Sequence, residues 1–124
     1  MFVHWFLAHP PDVRSSNQLE VAASEFECQG LEADWIGLCW GGDFVFDAEN
    51  NCWDYRNFSG SRWRNLKNEL DRKYLINTYR VLFTRARRGL VLWIPPGDPS
   101  DDTRLPPPFN ATAEYLVSCG LAVI

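Results

Sequence analysis

Several patterns that would reveal a chain's chemistry are missing from this sequence. It has one Met and two His in 124 residues, and His4 and His9 both fall in an irregular N-terminal stretch, where a structural role or none is expected. There is no H-E-x-x-H, no G-x-S-x-G, no G-x-x-x-x-G-K-[ST] phosphate loop, and no strand ending in Asp-Glu to hold magnesium. The four cysteines, at 28, 39, 52 and 119, make no C-x-x-C pair. They read as buried thiols rather than as zinc ligands or disulfides, and no metal site is expected. No apolar run approaches the roughly 20 residues that span a bilayer. Residues 1–8 lack the basic start and the length of a signal peptide. A cytoplasmic chain with no membrane contact follows, in which the sequons Asn57-Phe-Ser59 and Asn110-Ala-Thr112 are chance matches.

What is present is apolar and unevenly charged. With 46% hydrophobic residues, the chain is too rich in large side chains to be disordered and long enough for one core, so residues 1–124 are expected to form a single domain. Residues 61–88 hold nine of the twelve Lys and Arg against two acids, a formal +7 on a remainder of −11. A basic segment on an acidic background suits phosphate, in a nucleotide or a nucleic-acid backbone, and equally suits a solvated helix face.

The hydrophobic pattern alternates between strand and helix. Residues 19–23 read as a short strand, 25–30 as a turn, 35–40 as a strong strand ended by Gly41-Gly42, and 44–46 as another short strand. Residues 47–61, with their Asn and Gly, read as a loop. From 70 to 88 the period is helical, with Leu75, Tyr79, Leu82, Phe83 and Ala86 on one stripe and Gly89 as the stop. Residues 90–94 are a continuous apolar run, as in a strand covered on both faces. Residues 99–108 are proline-rich and irregular, and 110–119 read as a last helix, with Asn110 at its N-cap and Gly120 at its stop. The order implies an α/β fold with a parallel sheet, whose ligands sit at the carboxyl ends of strands and in the loops that follow.

LEVAASEFECQGLEADWIGLCW followed by YLINTYRVLFTRARRGLVLWIPPGD resembles motifs V and VI of superfamily 1 helicases, and more closely the bacterial family related to the Schlafen group 3 DNA/RNA helicase domain. That family's C-terminal part is similar also at Trp5-Phe6-Leu7, Asp102-Thr103-Arg104 and Thr112 to Leu116 running on to Cys119-Gly120. The resemblance implies a partial RecA-like (P-loop NTPase) second domain, with a mostly parallel sheet flanked by helices and beginning inside that domain. It implies that Gln29, Gly30 and Glu32 face a nucleotide in the cleft between two such domains. There Gly30 would let the backbone approach and Glu32 would accept from sugar hydroxyls. It also implies that Arg85, in Thr84-Arg85-Ala86-Arg87, is the arginine finger that reaches the γ-phosphate, a task suited to a permanently charged planar fork.

The same resemblance limits the expectation. ATP and magnesium would bind only with a complementary Walker-containing half, and this chain alone would not hydrolyse ATP. The alternative is a non-enzymatic stand-alone module that binds a protein or nucleic acid. Expected partners are the Walker-containing half or a second copy, with residues 2–7 taking part, and single-stranded nucleic acid at Arg62, Trp63 and Arg64. Trp63 between two arginines suits stacking on a base, although packing explains it too. Trp35, Trp40 and Trp93 read as core or half-buried. Arg87 and Arg88 read as favourable charge at a helix C-terminus.

Overall fold

In a computed structural model the structure describes residues 7–18, 20–28 and 30–124. Two sheets and two main helices organise them. β1 (Ala33–Cys39) and β5 (Ala86–Trp93) form a parallel pair, and β2 (Phe44–Asp47), β3 (Cys52–Ser59) and β4 (Arg62–Asn65) form an antiparallel meander. The helices are α1 (Glu69–Phe83) and α2 (Pro106–Ser118). The fold is therefore mixed α/β. Among the described residues the sheet is not mostly parallel, because the segment expected as a loop is the meander.

That segment was hard to read because its turn residues are concentrated at strand ends. Asp47 accepts from the N–H groups of Glu49 and Asn50, at 2.9 and 3.1 Å, and Asn51 takes a positive φ of 51°, which closes the β2–β3 turn. Gly60, at φ 68°, lies in the two-residue connection between Ser59 and Arg62. Between these turns Trp53 and Tyr55 alternate with Asp54 and Arg56, the period of a strand with one face inward, while Phe58 falls on the other face. Trp53, Phe44 and Phe46 then meet Trp40, Tyr55, Tyr79 and Tyr115 ring to ring, with centroids 4.3 to 6.2 Å apart. The buried members of the core are Trp40, Val45, Tyr79 and Phe109.

α1 begins as its sequence requires and ends early. Asn68 caps it, its Oδ1 accepting from Leu70 N–H at 2.9 Å. The helical stripe runs to Phe83, and Thr84 is the C-cap. Ala86, Arg87 and Arg88 leave the helix to begin β5, and Gly89 lies inside that strand rather than at a helix stop. Tertiary pairing overrides local helical preference here: Ala33 N–H donates to Arg85 C=O at 3.0 Å, and Ala86 pairs with Ala33. Gly89 is opposite Trp35 in the register, and a Cβ there would fall within the indole ring.

Other expectations also change. Residues 20–23 form no strand, and Leu19 lies outside the described residues. α2 starts at Pro106, four residues before Asn110, since the missing N–H groups of its leading prolines are ones a first helical turn leaves unpaired. Gly120, at φ 102°, follows its C-cap. Cys39, Cys52 and Cys119 are exposed, and only Cys28 is partly covered. Trp35 and Trp93 are 64% and 56% exposed, and Val91 is exposed with them, so β5 is covered on one face and not on both.

α2 also covers the open edge of β2. The hydroxyl of Thr112, fully buried, accepts from Phe46 N–H at 2.9 Å and donates to Pro108 C=O at 2.7 Å. A side chain thus supplies the acceptor that a neighbouring strand would have supplied.

Candidate nucleotide-facing site and basic surface

The turn over 24–30 is held by a reciprocal cap. Glu27 accepts from both the backbone N–H and the hydroxyl of Ser24, at 2.8 and 3.0 Å, while Glu27 N–H donates to Ser24 C=O at 3.0 Å. These bonds, the backbone one foremost, hold the Glu27 carboxyl below its ordinary range. Gly30 follows at φ 82° with open space where a Cβ would project, a conformation glycine adopts without strain. Gln29 lies outside the described residues.

From Gly30 the chain passes directly into β1, and this places Glu32 against the start of β5. Arg87 donates to Glu32 Oε2 from both Nε and Nη2, each at 3.3 Å. Both side chains are more than half exposed, so the pair contributes little to stability. Arg87 therefore does not serve as helix-terminal charge, because the helix has ended before it. Arg85 takes that place instead: its Nε donates to Val81 C=O at 3.1 Å and its Nη2 to Thr84 Oγ1 at 3.2 Å, against the last turn of α1. Gly30, Glu32, Arg85 and Arg87 thus lie toward the amino ends of the parallel strands, termed the mouth here, where Glu32 and Arg87 meet directly. The carboxyl ends, where a parallel sheet would lead one to look, carry none of them.

The second candidate group lies on β4. Arg62 and Arg64 are exposed, and Trp63 between them is half-buried. Its Nε1 donates to Thr103 C=O at 2.7 Å, Phe58 meets it edge-on at 5.1 Å, and the Arg56 guanidinium stands 5.4 Å from its centroid. Trp63 ties the proline-rich segment to the meander, with Gly42 closely beneath it. Arg56 is itself half-buried and donates twice to Gly42 C=O, at 2.9 and 2.6 Å; burial lowers its pKa.

Sequence reasoning passed over two groups. Tyr79 donates to Asp43 Oδ1 at 2.6 Å beneath Gly41, and burial first, then the Asp43 charge, pushes the phenol upward. Asp43 follows the Gly41-Gly42 break, and this position was its only signal. Asp47, Cys52 and Asp54 bring three potential ligand atoms within 4.8 Å of one another on the β2–β3 hairpin, not at the mouth. The mouth residues offer one carboxylate acceptor, in Glu32, and guanidinium donors, in Arg85 and Arg87. They do not include the carboxylate set that holds magnesium.

Among the described residues no helix is long and apolar enough to cross a membrane. No curated protein and no solved structure matches the chain. The family described as Schlafen group 3, DNA/RNA helicase domain, matches residues 1–96, which include both strands of the parallel pair and every residue of the mouth. The chain belongs to the Schlafen group 3 DNA/RNA helicase domain family.

Proposed function

We propose that this chain is a C-terminal motor-domain part of an ATP-dependent DNA/RNA helicase, with one RecA-like domain as its architecture. In this reading it supplies the motif V turn and the motif VI arginine to a Walker-containing half. The observation that supports it is the bond from Ala33 N–H to Arg85 C=O. It joins the end of the Gly30–Glu32 turn to Thr84-Arg85-Ala86-Arg87 and makes one surface of two distant sequence motifs. On that surface Gly30 lies along the nucleotide, and Glu32 accepts from sugar hydroxyls while Arg87 fixes its carboxylate; Gln29, outside the described residues, joins them in this reading by the resemblance alone. Arg85, whose present partners are neutral acceptors on α1, turns outward to phosphate oxygens, where a charge-assisted fork is stronger. ATP supplies the phosphoryl group, and magnesium is held by the partner half. Arg62 and Arg64 contact a single-stranded backbone, positioned by Trp63.

The test is nucleotide and strand binding by the purified chain, alone and with a Walker-containing half from the same family. Alone, it should bind ATP at roughly millimolar Kd, about −4 kcal/mol, and show no turnover. With the partner half, ATP hydrolysis should appear and be lost in Arg85→Ala. Single-stranded DNA binding should weaken steeply with salt, and the slope should fall by about one in Arg62→Ala and again in Arg64→Ala. Turnover by the chain alone that survives Arg85→Ala would overturn the reading.

A further inference from the structure

A cleft of about 490 Å³ runs along β1 to Gly41 and Asp43, just past the strand's carboxyl end. Glu32, Arg85 and Arg87 do not line it. Its size is that of a small-molecule site, and its chemistry is one-sided. Val21, Ile36, Leu38 and Leu82 give it apolar walls, while the charged groups that line it are the carboxylates of Glu25 and Asp43. Among the described residues no Lys, Arg or His lines it. Arg56, on the adjoining hairpin, feels the Asp43 charge but directs Nε and Nη2 to Gly42 C=O.

Two neutral acids within the cleft report its field. The Tyr79 phenol is pushed upward by burial first and then by Asp43, with Glu25 acting in the same direction. The Cys28 thiol is pushed upward by burial and then by Glu27 and Glu25. Carboxylates from two separate segments thus make the interior negative, and apolar walls concentrate such a field. Asp43 is also held in place. Its Oδ1 accepts from the buried Tyr79 hydroxyl at 2.6 Å, whereas its Oδ2 accepts from no described group. A Cβ at Gly41 would stand 2.7 Å from Asp43 Oδ1, so glycine at that position is what lets the carboxylate lie against the loop.

We propose that this cleft binds a small organic cation, a protonated primary amine carried on an apolar body. The ammonium donates to Asp43 Oδ2, Glu25 supplies a second countercharge, and the body lies against Leu38 and Leu82. An anion would meet two carboxylates, and a bare metal ion would leave the apolar walls unused. The site is separate from the mouth and stands whether or not the mouth binds a nucleotide.

Amide-resolved NMR titration of the full chain at constant ionic strength tests it, with phenethylamine as the probe, 2-phenylethanol as its neutral counterpart and 3-phenylpropionate as its anionic one. Phenethylamine should shift the Leu38, Gly41 and Asp43 amides saturably and bind about tenfold or more tightly than the alcohol, with the anion weakest. Asp43→Asn keeps an oxygen for Tyr79 and should bring the amine to within about threefold of the alcohol. Glu25→Gln, at an exposed side chain, should weaken the amine by about two- to threefold and leave the alcohol unchanged. An unmoved Val45 amide shows that the core of a variant remains folded; should Asp43→Asn disturb it, Glu25→Gln decides alone. Equal binding of amine and alcohol by the wild-type chain would overturn the proposal. So would the absence of saturable shifts at those amides up to about 10 mM amine, or an amine preference that survives unchanged in a folded Asp43→Asn or in Glu25→Gln.

Discussion

The antiparallel half of the molecule and the parallel half have opposite balances of satisfied and open groups. In the meander every large ring of β2 and β3 meets another ring, the edge of β2 is closed by Thr112, and Trp63 bonds the proline-rich segment. In the parallel pair, no strand among the described residues pairs with the second edge of β1, Trp35 and Trp93 face outward, and the residues of the candidate mouth are mostly exposed. The comparison teaches that the half built on the β1–β5 pair is the less self-sufficient one. Open edges and exposed apolar faces are usual where a chain meets a partner, and the proposed function gives that half a partner.

If stability resides in the aromatic core on which the meander packs, Trp40, which follows β1 and inserts its ring there, should be the most sensitive point. Trp40→Ala removes a 4% exposed ring stacked among four others and leaves Phe44 C=O without the indole donor at 2.6 Å. It should cost about 3–5 kcal/mol in chemical denaturation. Trp93→Ala, at the last residue of β5 and 56% exposed, should cost well under half as much. Equal losses would break the contrast between the halves.

Thr112→Val keeps the shape and removes the acceptor at the β2 edge. The Phe46 N–H would then be buried without a partner, at a cost of about 1–3 kcal/mol. A Thr112→Ser variant, which retains the hydroxyl, should recover most of the loss. This separates the hydrogen bond from packing.

Gly89→Ala tests the parallel half. A Cβ there collides with the Trp35 ring, and since that ring is exposed it can be pushed aside, so the expected cost is at the low end of about 1–3 kcal/mol. In a Trp35→Ala background the sign should reverse: without the ring, alanine in a strand interior is favoured over glycine by roughly 0.5–1 kcal/mol. The difference between the two backgrounds, read by a double-mutant cycle, measures how firmly Trp35 lies on β5.

Much of the parallel half was legible in the sequence, and little of the meander was. β1 and the apolar part of β5 are continuous hydrophobic runs, and T-R-A-R together with the Q-G-L-E turn identified the family. The helix end was misread because Ala86 continues the helical stripe of Leu75, Tyr79 and Leu82. What removes it from the helix is its strand pairing with Ala33, 53 positions away. The meander was misread because Asn51, Asn57 and Gly60 dominated a stretch whose aromatic alternation, Trp53 and Tyr55 against Asp54 and Arg56, was the better guide. The exposure of Trp35 and Trp93 is not legible at all: a tryptophan in an apolar strand looks the same whether the face above it is covered or open. The pairing of Glu32 with Arg87 was not legible, since that spacing has no local pattern and Arg87 reads as helix-terminal charge.

The smallest expected effect compares the two carboxylate-capped turns, one in each half. Asp101 accepts from the Thr103 hydroxyl at 2.6 Å, the Thr103 N–H at 2.9 Å and Arg104 Nε at 2.9 Å, and these bonds hold its carboxyl down to about 2. Glu27 is shifted in the same direction by Ser24, through fewer bonds. Both folded values lie below the ordinary carboxyl range near 4, so each bonded turn is stabilised above that range and loses the contribution as pH falls through its own folded value. The Glu27 turn should loosen first on acidification, and the Asp101 loop should persist to a pH near 2. Side-chain carboxyl shifts of Glu27 and Asp101, followed by NMR from pH 6 downward, check the order. The Trp63 indole N–H, bonded to Thr103 C=O, reports the loop independently. Should the Trp63 signal change before the Glu27 carboxyl titrates, the meander side would be the weaker one in acid, and the ranking of the two halves would be reversed.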